Sequence, residues 1–149
     1  DNIEPLMQTL AISQFAFNLE RNELHLGGYD TAFSSSMFWA HLQRESYFDV
    51  HLHAIKVNGK RVNAVHTGVV DTGTSLLVGP VDEFLDLFVG IGGVYDKRAG
   101  KLYLDCMDTL LLKEIQVVIF DGVEKCATFV LQPQDYILKV GHQCFLGIQ

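Results

Sequence analysis

A mostly β fold, antiparallel and with one or two short helices, is predicted by three features of the sequence. Short segments alternate apolar and polar residues with the period of two that half-buried strands require. Asn58-Gly59 is a two-residue turn set between such segments, the strongest local signal for a hairpin, and Asp121-Gly122 marks a further hairpin. The run Gly68 to Pro80 reads as strand, tight turn and strand, with the acid Asp71 at the turn.

From Gln14 to Leu26 the alternation folds back at Arg21-Asn22-Glu23, a hairpin that Gly27-Gly28 ends. Tyr29 to Ser36, with three consecutive serines, reads as loop. Phe38 to Leu42 and Tyr47 to Ile55 read as strands. In the second, Asp49, His51 and His53 alternate with Val50, Leu52 and Ala54. Three such side chains at alternate positions raise a metal site, but no fourth ligand or zinc-type spacing accompanies them, so a polar solvent face is the expected reading. Val57-Asn58-Gly59-Lys60 turns the chain towards Asp71. Beyond it, Val81, Phe84, Leu85 and Phe88 fall at helical spacing, with Pro80 suited to a first turn and Asp82 and Glu83 near the positive end. Gly90-Ile91-Gly92 follows that helix and lacks the Gly-Lys-Ser/Thr of a phosphate loop. Lys101 to Leu104, Ile115 to Phe120, Val123 to Leu131 and Tyr136 to Lys139 are strands and turns, without repeats.

The 149 residues, 48% hydrophobic and 19% charged, suffice for one sizeable core. A net charge of -7 without basic runs argues against nucleic acid and anionic membranes as partners. No stretch is apolar for the eighteen or so residues that span a bilayer. The sequence starts at Asp1-Asn2 without Met, as a piece of a longer chain would. Three cysteines allow one disulfide and one thiol, or three reduced core residues. None of the six histidines is placed for a nucleophilic triad, and no motif implies a cofactor.

Apolar residues flank the central turn on both sides, Val69-Val70 before it and Leu76-Leu77-Val78 after. They are expected to bury both arms and to present Asp71 at the lip of an apolar bed, where a carboxyl becomes a candidate acid or base. The run Val-Val-Asp-Thr-Gly-Thr-Ser-Leu-Leu resembles the second active-site motif of the pepsin-like aspartic proteases. Further matches follow in the family's order: Asp1-Asn2-Ile3 with Gln14 to Leu19, Leu26-Gly27-Gly28-Tyr29-Asp30, Trp39, Gly79-Pro80, Cys106, Tyr136-Ile137-Leu138 and Cys144. The resemblance implies the carboxy-terminal lobe of such a protease, with residues 1–12 ending the interlobe connection and residues 13–149 forming the lobe.

By the same resemblance Asp71 is the catalytic residue, in an acid endopeptidase where two aspartates share one water. Thr72 would bond across the lobes, Gly73 would admit close backbone approach and Thr74 would bond the Asp71 carboxylate. Gly73, Thr74 and Ser75 would meet the substrate backbone, and Phe33 would contact substrate from its loop. Cys106 and Cys144 would form a disulfide, leaving Cys126 free and implying an oxidising compartment: the secretory pathway, the vacuole or lysosome, or the extracellular space. The implied partners are a peptide or protein substrate and the amino-terminal lobe that carries the second aspartate, since the chain holds no second Asp-Thr/Ser-Gly.

The chain departs from the family's pattern at Phe145-Leu146-Gly147, which abuts Cys144 where the family has a loop before the strand that completes its ψ-shaped motif. The expectation is that the last strands are absent, leaving the Asp71 loop short of a neighbour and apolar edges exposed. Alternatives are two identical chains each giving one Asp, a non-catalytic peptide-binding relative, and a fragment that self-associates by strand exchange through those edges.

Overall fold

The computed structural model describes residues 5–44, 47–62, 66–79, 82, 85 and 93–148. Asp1, Asn2, Ile3, Pro80, Val81, Glu83, Phe84, Phe88 and Gly90-Ile91-Gly92 lie outside the described residues, and most of the helix expected after Pro80 with them. The chain forms two compact units, Asp1–Phe38 and Trp39–Gln149.

In the first unit a helical turn, Leu6–Thr9, precedes a hairpin of β1 (Phe15–Asn18) and β2 (Glu23–Leu26), paired antiparallel from Phe15↔Leu26 to Asn18↔Glu23. Asn22 takes the left-handed conformation, φ 54°, that the reversal needs, and the Asn18 side chain accepts from the Arg21 N–H at 3.1 Å. Gly27, at φ 82°, turns the chain out of β2. The expected loop contains a 3-10 turn, Thr31–Phe33, started by the Asp30 carboxylate on the Ala32 N–H.

The second unit is built on β3 (Asp49–Val57). One of its edges pairs with β4 (Lys60–Val62) through Ile55–Val57 and with β5 (Thr67–Val69) through Asp49–His51, while the other edge pairs with β8 (Ile115–Phe120), which pairs with β9 (Cys126–Leu131). The β3–β4 turn is made by Asn58 and Gly59 at φ 50° and 74°, the two positive values a tight hairpin demands. A second sheet runs β10-β11-β7-β6, made of β6 (Val94–Asp96), β7 (Lys101–Leu104), β10 (Ile137–Val140) and β11 (Gln143–Leu146). The core cluster joins the two sheets: Val57, Val62, Ile115, Leu102, Leu104, Leu112, Tyr136, Leu146 and Ile148 are all buried. Among the described residues no helix is long and apolar enough to cross a membrane.

Several local expectations are corrected. Phe38 to Leu42 is not a strand; the His41 N–H donates to the Asp121 carbonyl at 2.9 Å, and Trp39 and Leu42 are exposed. Asp49 does not face solvent: it is fully buried and paired with Arg44. The alternation of β3 also breaks at His53. There the register moves from Leu52↔Ile119 to Ala54↔Val118, so a bulge sets Ala54 on the face opposite Leu52 and returns Ile55 and Val57 to the side of Leu52. Short β6 and β11 form where only turn or chain end was expected, and a one-turn helix, Pro133–Tyr136, takes in Tyr136, which was expected to begin a strand. Proline at its first turn and reciprocal bonds between Gln132 and Asp135 start that helix.

Cys106 and Cys144 are joined, with Cα atoms 5.2 Å apart, and Cys126 is free and exposed at the start of β9. The bond ties β11 to the chain leaving β7 across 38 residues of sequence. Replacing both cysteines by serine is expected to lower stability by about 2–4 kcal/mol, read as a lower urea midpoint.

Candidate active site

β5 delivers the chain to the central turn. Its three residues pair with β3 as Thr67↔His51, Gly68↔Val50 and Val69↔Asp49, and the Val70 N–H then donates to the Phe48 carbonyl at 3.0 Å. Gly68 is required by packing, since a Cβ there would lie 3.0–3.2 Å from three carbons of the Leu52 side chain. Asp71 follows at the first residue beyond this ladder.

The turn closes on the Asp71 carboxylate. The Gly73 N–H donates to Oδ1 at 2.8 Å and the Thr74 hydroxyl to Oδ2 at 2.5 Å, so each oxygen is held by one donor. A Cβ on Gly73 would sit 3.1 Å from Oδ1, which is why the smallest residue suits this place. First the Thr74 hydroxyl and then the Gly73 amide favour the ionised form, and together they outweigh a small desolvation effect, holding the carboxyl below its ordinary value of 3.8.

The arm after the turn is anchored by a relay of backbone bonds. The Leu77 N–H donates to the Gly147 carbonyl at 2.9 Å, and the Gly147 N–H to the Tyr136 carbonyl at 2.7 Å. Leu77 and Ile148 form a parallel bridge. Tyr136 is itself fixed in the core, its hydroxyl donating to the Lys113 carbonyl at 2.5 Å, and burial pushes its pKa up to about 12. The segment after Cys144 is therefore a neighbour of the Asp71 loop, which corrects the expectation that the loop lacks one. Burial of the arms is corrected as well. Val69 and Val70 are 55% and 56% exposed and Val78 is 72% exposed, because β5 is three residues long and the described residues place nothing over these side chains. Asp71 stands open to solvent rather than on an apolar bed.

The structure thus brings together Asp71, Gly73 and Thr74. Thr72 and Ser75 occupy the same turn, exposed and without side-chain hydrogen bonds among the described residues. Phe33 belongs to the other unit, where it ends the 3-10 turn and is exposed. The described residues contain no cluster of three or more metal-ligating side chains.

A family model described as eukaryotic aspartyl protease matches residues 3–149. The chain belongs to this family. Its relatives include gastricsin of Oryctolagus cuniculus, 31% identical over 95% of the chain, and cathepsin D of Homo sapiens, 34% identical over 91%. The chain spans 37% of the length of the first and 34% of the second. An aspartic proteinase from Irpex lacteus shares the fold, with a TM-score of 0.62 at 22% identity over 84% of this chain and 39% of that one.

Sequence reading overlooked Gln43 and Arg44. Gln43 receives the Thr67 hydroxyl at 2.8 Å on its side-chain carbonyl, and Arg44 pairs with Asp49. The available signal was an acid at the head of a strand five residues after an arginine.

Removing the Thr74 hydroxyl with Thr74→Val should move the Asp71 pKa upward towards its ordinary value, read by carbon NMR of the labelled carboxylate. In the unsubstituted chain the bonds to the ionised carboxylate stabilise the folded turn above pH 3.8, and their contribution fades as pH falls through the lower folded value. An unchanged titration in Thr74→Val would show that the hydroxyl does not set it.

Proposed function

We propose that this chain supplies one of the two carboxylates of an aspartic endopeptidase, Asp71, and that the second comes from a segment outside it. The reading rests most on one observation: a solvent-facing carboxylate whose two oxygens are each held by a donor of its own turn. Such a group is fixed in direction and kept ionised, as an acceptor of a proton from water must be.

Peptide hydrolysis by this route needs a water between two carboxyl groups. One, ionised, takes a proton as the water attacks the scissile carbonyl; the other, protonated, donates to the carbonyl oxygen. Two close carboxyls share one proton more readily than they lose both, so the pair works in acid. In this scheme Asp71 is catalytic, Thr74 and the Gly73 amide orient it, and the exposed hydroxyls of Thr72 and Ser75 are free to bond the missing lobe and the substrate backbone respectively. The exposed Val69, Val70 and Val78 would be covered by the segment that carries the second aspartate. Phe33 is proposed as a substrate contact on the strength of the family resemblance alone. The disulfide favours an oxidising compartment, in the secretory pathway or beyond it.

The test uses the full-length protein and a fluorogenic peptide with a central Phe-Phe pair, assayed from acid to neutral pH. Cleavage should be confined to acid, and Asp71→Ala should lower kcat/KM by about a hundredfold or more. Full cleavage by Asp71→Ala would remove Asp71 from the chemistry and leave a peptide-binding relative as the better reading.

A further inference from the structure

Asp49 is the one buried charged or polar residue among the described residues, and the chemistry above does not use it. Its carboxylate is fully enclosed. Oδ2 takes the Arg44 Nε–H, while Oδ1 has no partner among the described residues. A buried carboxylate held from one side only is costly, and the arginine that neutralises it is itself 62% exposed. An apolar residue at this place would avoid that cost.

The backbone around Asp49 leads to the catalytic turn. Asp49 pairs with Val69, two residues before Asp71, and its carbonyl accepts the Gln43 N–H at 2.9 Å. Gln43 in turn receives the hydroxyl of Thr67, the first residue of β5. One residue before Asp49, the Phe48 carbonyl accepts the Val70 N–H. The start and the end of β5 are therefore both tied to the group Gln43, Arg44, Phe48 and Asp49, and the Arg44–Asp49 ion pair closes that group. Arg44 is steadied further by the face of Tyr47, 5.6 Å from its guanidinium carbon.

We infer that Asp49, neutralised by Arg44, is a positioning residue that fixes β5 and so sets where the Asp71 carboxylate stands. The inference rests on the proposed role of Asp71. Three exposed-edge residues of β5 have too little packing of their own to hold a catalytic group to the sub-ångström tolerance that the chemistry demands. The ion pair supplies the missing constraint from the neighbouring strand.

Two readouts test this. Amide hydrogen exchange on this chain should show the Val70 N–H exchanging at least about tenfold faster in Arg44→Ala, with the β8–β9 ladder unchanged, and Arg44→Lys should restore most of the protection. In the full-length protein the same Arg44→Ala change should lower kcat with little effect on KM. Uniformly faster exchange across β5, β8 and β9 would mean a merely structural ion pair, and unchanged Val70 exchange would mean no role; either overturns the inference. If Arg44→Ala does not fold, Thr67→Val removes the Gln43 tie at an exposed site and must accelerate Val70 selectively, or the inference fails. Exchange does not depend on catalysis, so an active Asp71→Ala protein would sink the functional reading while leaving the exchange result to be judged alone.

Discussion

The nine residues of β3 carry two partners along one edge, and the placement of Asp71 depends on that division. Its second half binds β4 through the tight turn at Asn58-Gly59; its first half binds β5, which ends two residues before the acid. The opposite edge is paired with β8 from His51 to Val57. A backbone ladder is a rigid reference because each bond fixes a neighbour's height and register at once. β5 borrows its order from β3, and the bulge at His53 lets β3 serve the core with Leu52, Ile55 and Val57 while the buried Asp49 pairs with Val69 at the end of β5.

The second arm of the turn is anchored differently. It reaches the core through backbone bonds from Leu77 to Gly147 and from Gly147 to Tyr136, whose ring is buried and whose hydroxyl is bonded. Gly147 suits this place, because a Cβ would press on the Tyr136 carbonyl at 3.3 Å. The acid is thus suspended between two anchors, one on β3 and one on the chain that flanks the second sheet at Tyr136 and Gly147. The turn itself contributes the donors that favour the ionised carboxylate and aim it, which in the proposed scheme is what the base of an acid–base pair requires.

Much of this was legible in the sequence where local chemistry decides structure. Asn58-Gly59 could be read because few residues accept positive φ in succession, and β8 could be read to its ends because Ile115 to Phe120 is β-branched and aromatic between polar turns. The Asp-Thr-Gly-Thr turn was legible for the same reason, a short hydroxyl and a glycine being what a closed carboxylate turn needs. What stayed hidden depends on distant neighbours. Asp49 looked like a solvent residue because alternation predicts faces, and neither the bulge nor the arginine that neutralises it is visible in a period of two. Val69, Val70 and Val78 looked buried because apolar residues usually are, yet burial needs something to cover them. The three-residue β6 and the single helical turn Pro133–Tyr136 are too short for any periodicity to register.

The central claim is that Asp71 is half of a pair. Its most direct test is peptide cleavage in acid by this chain alone over a wide range of concentrations, with Asp71→Ala beside it. One carboxylate cannot accept a proton from the attacking water and donate one to the carbonyl oxygen in the same step, so no cleavage proportional to the first power of concentration is expected, and any that grows as the square must vanish in Asp71→Ala. Cleavage that rises linearly with concentration, or that survives the substitution, would contradict the claim.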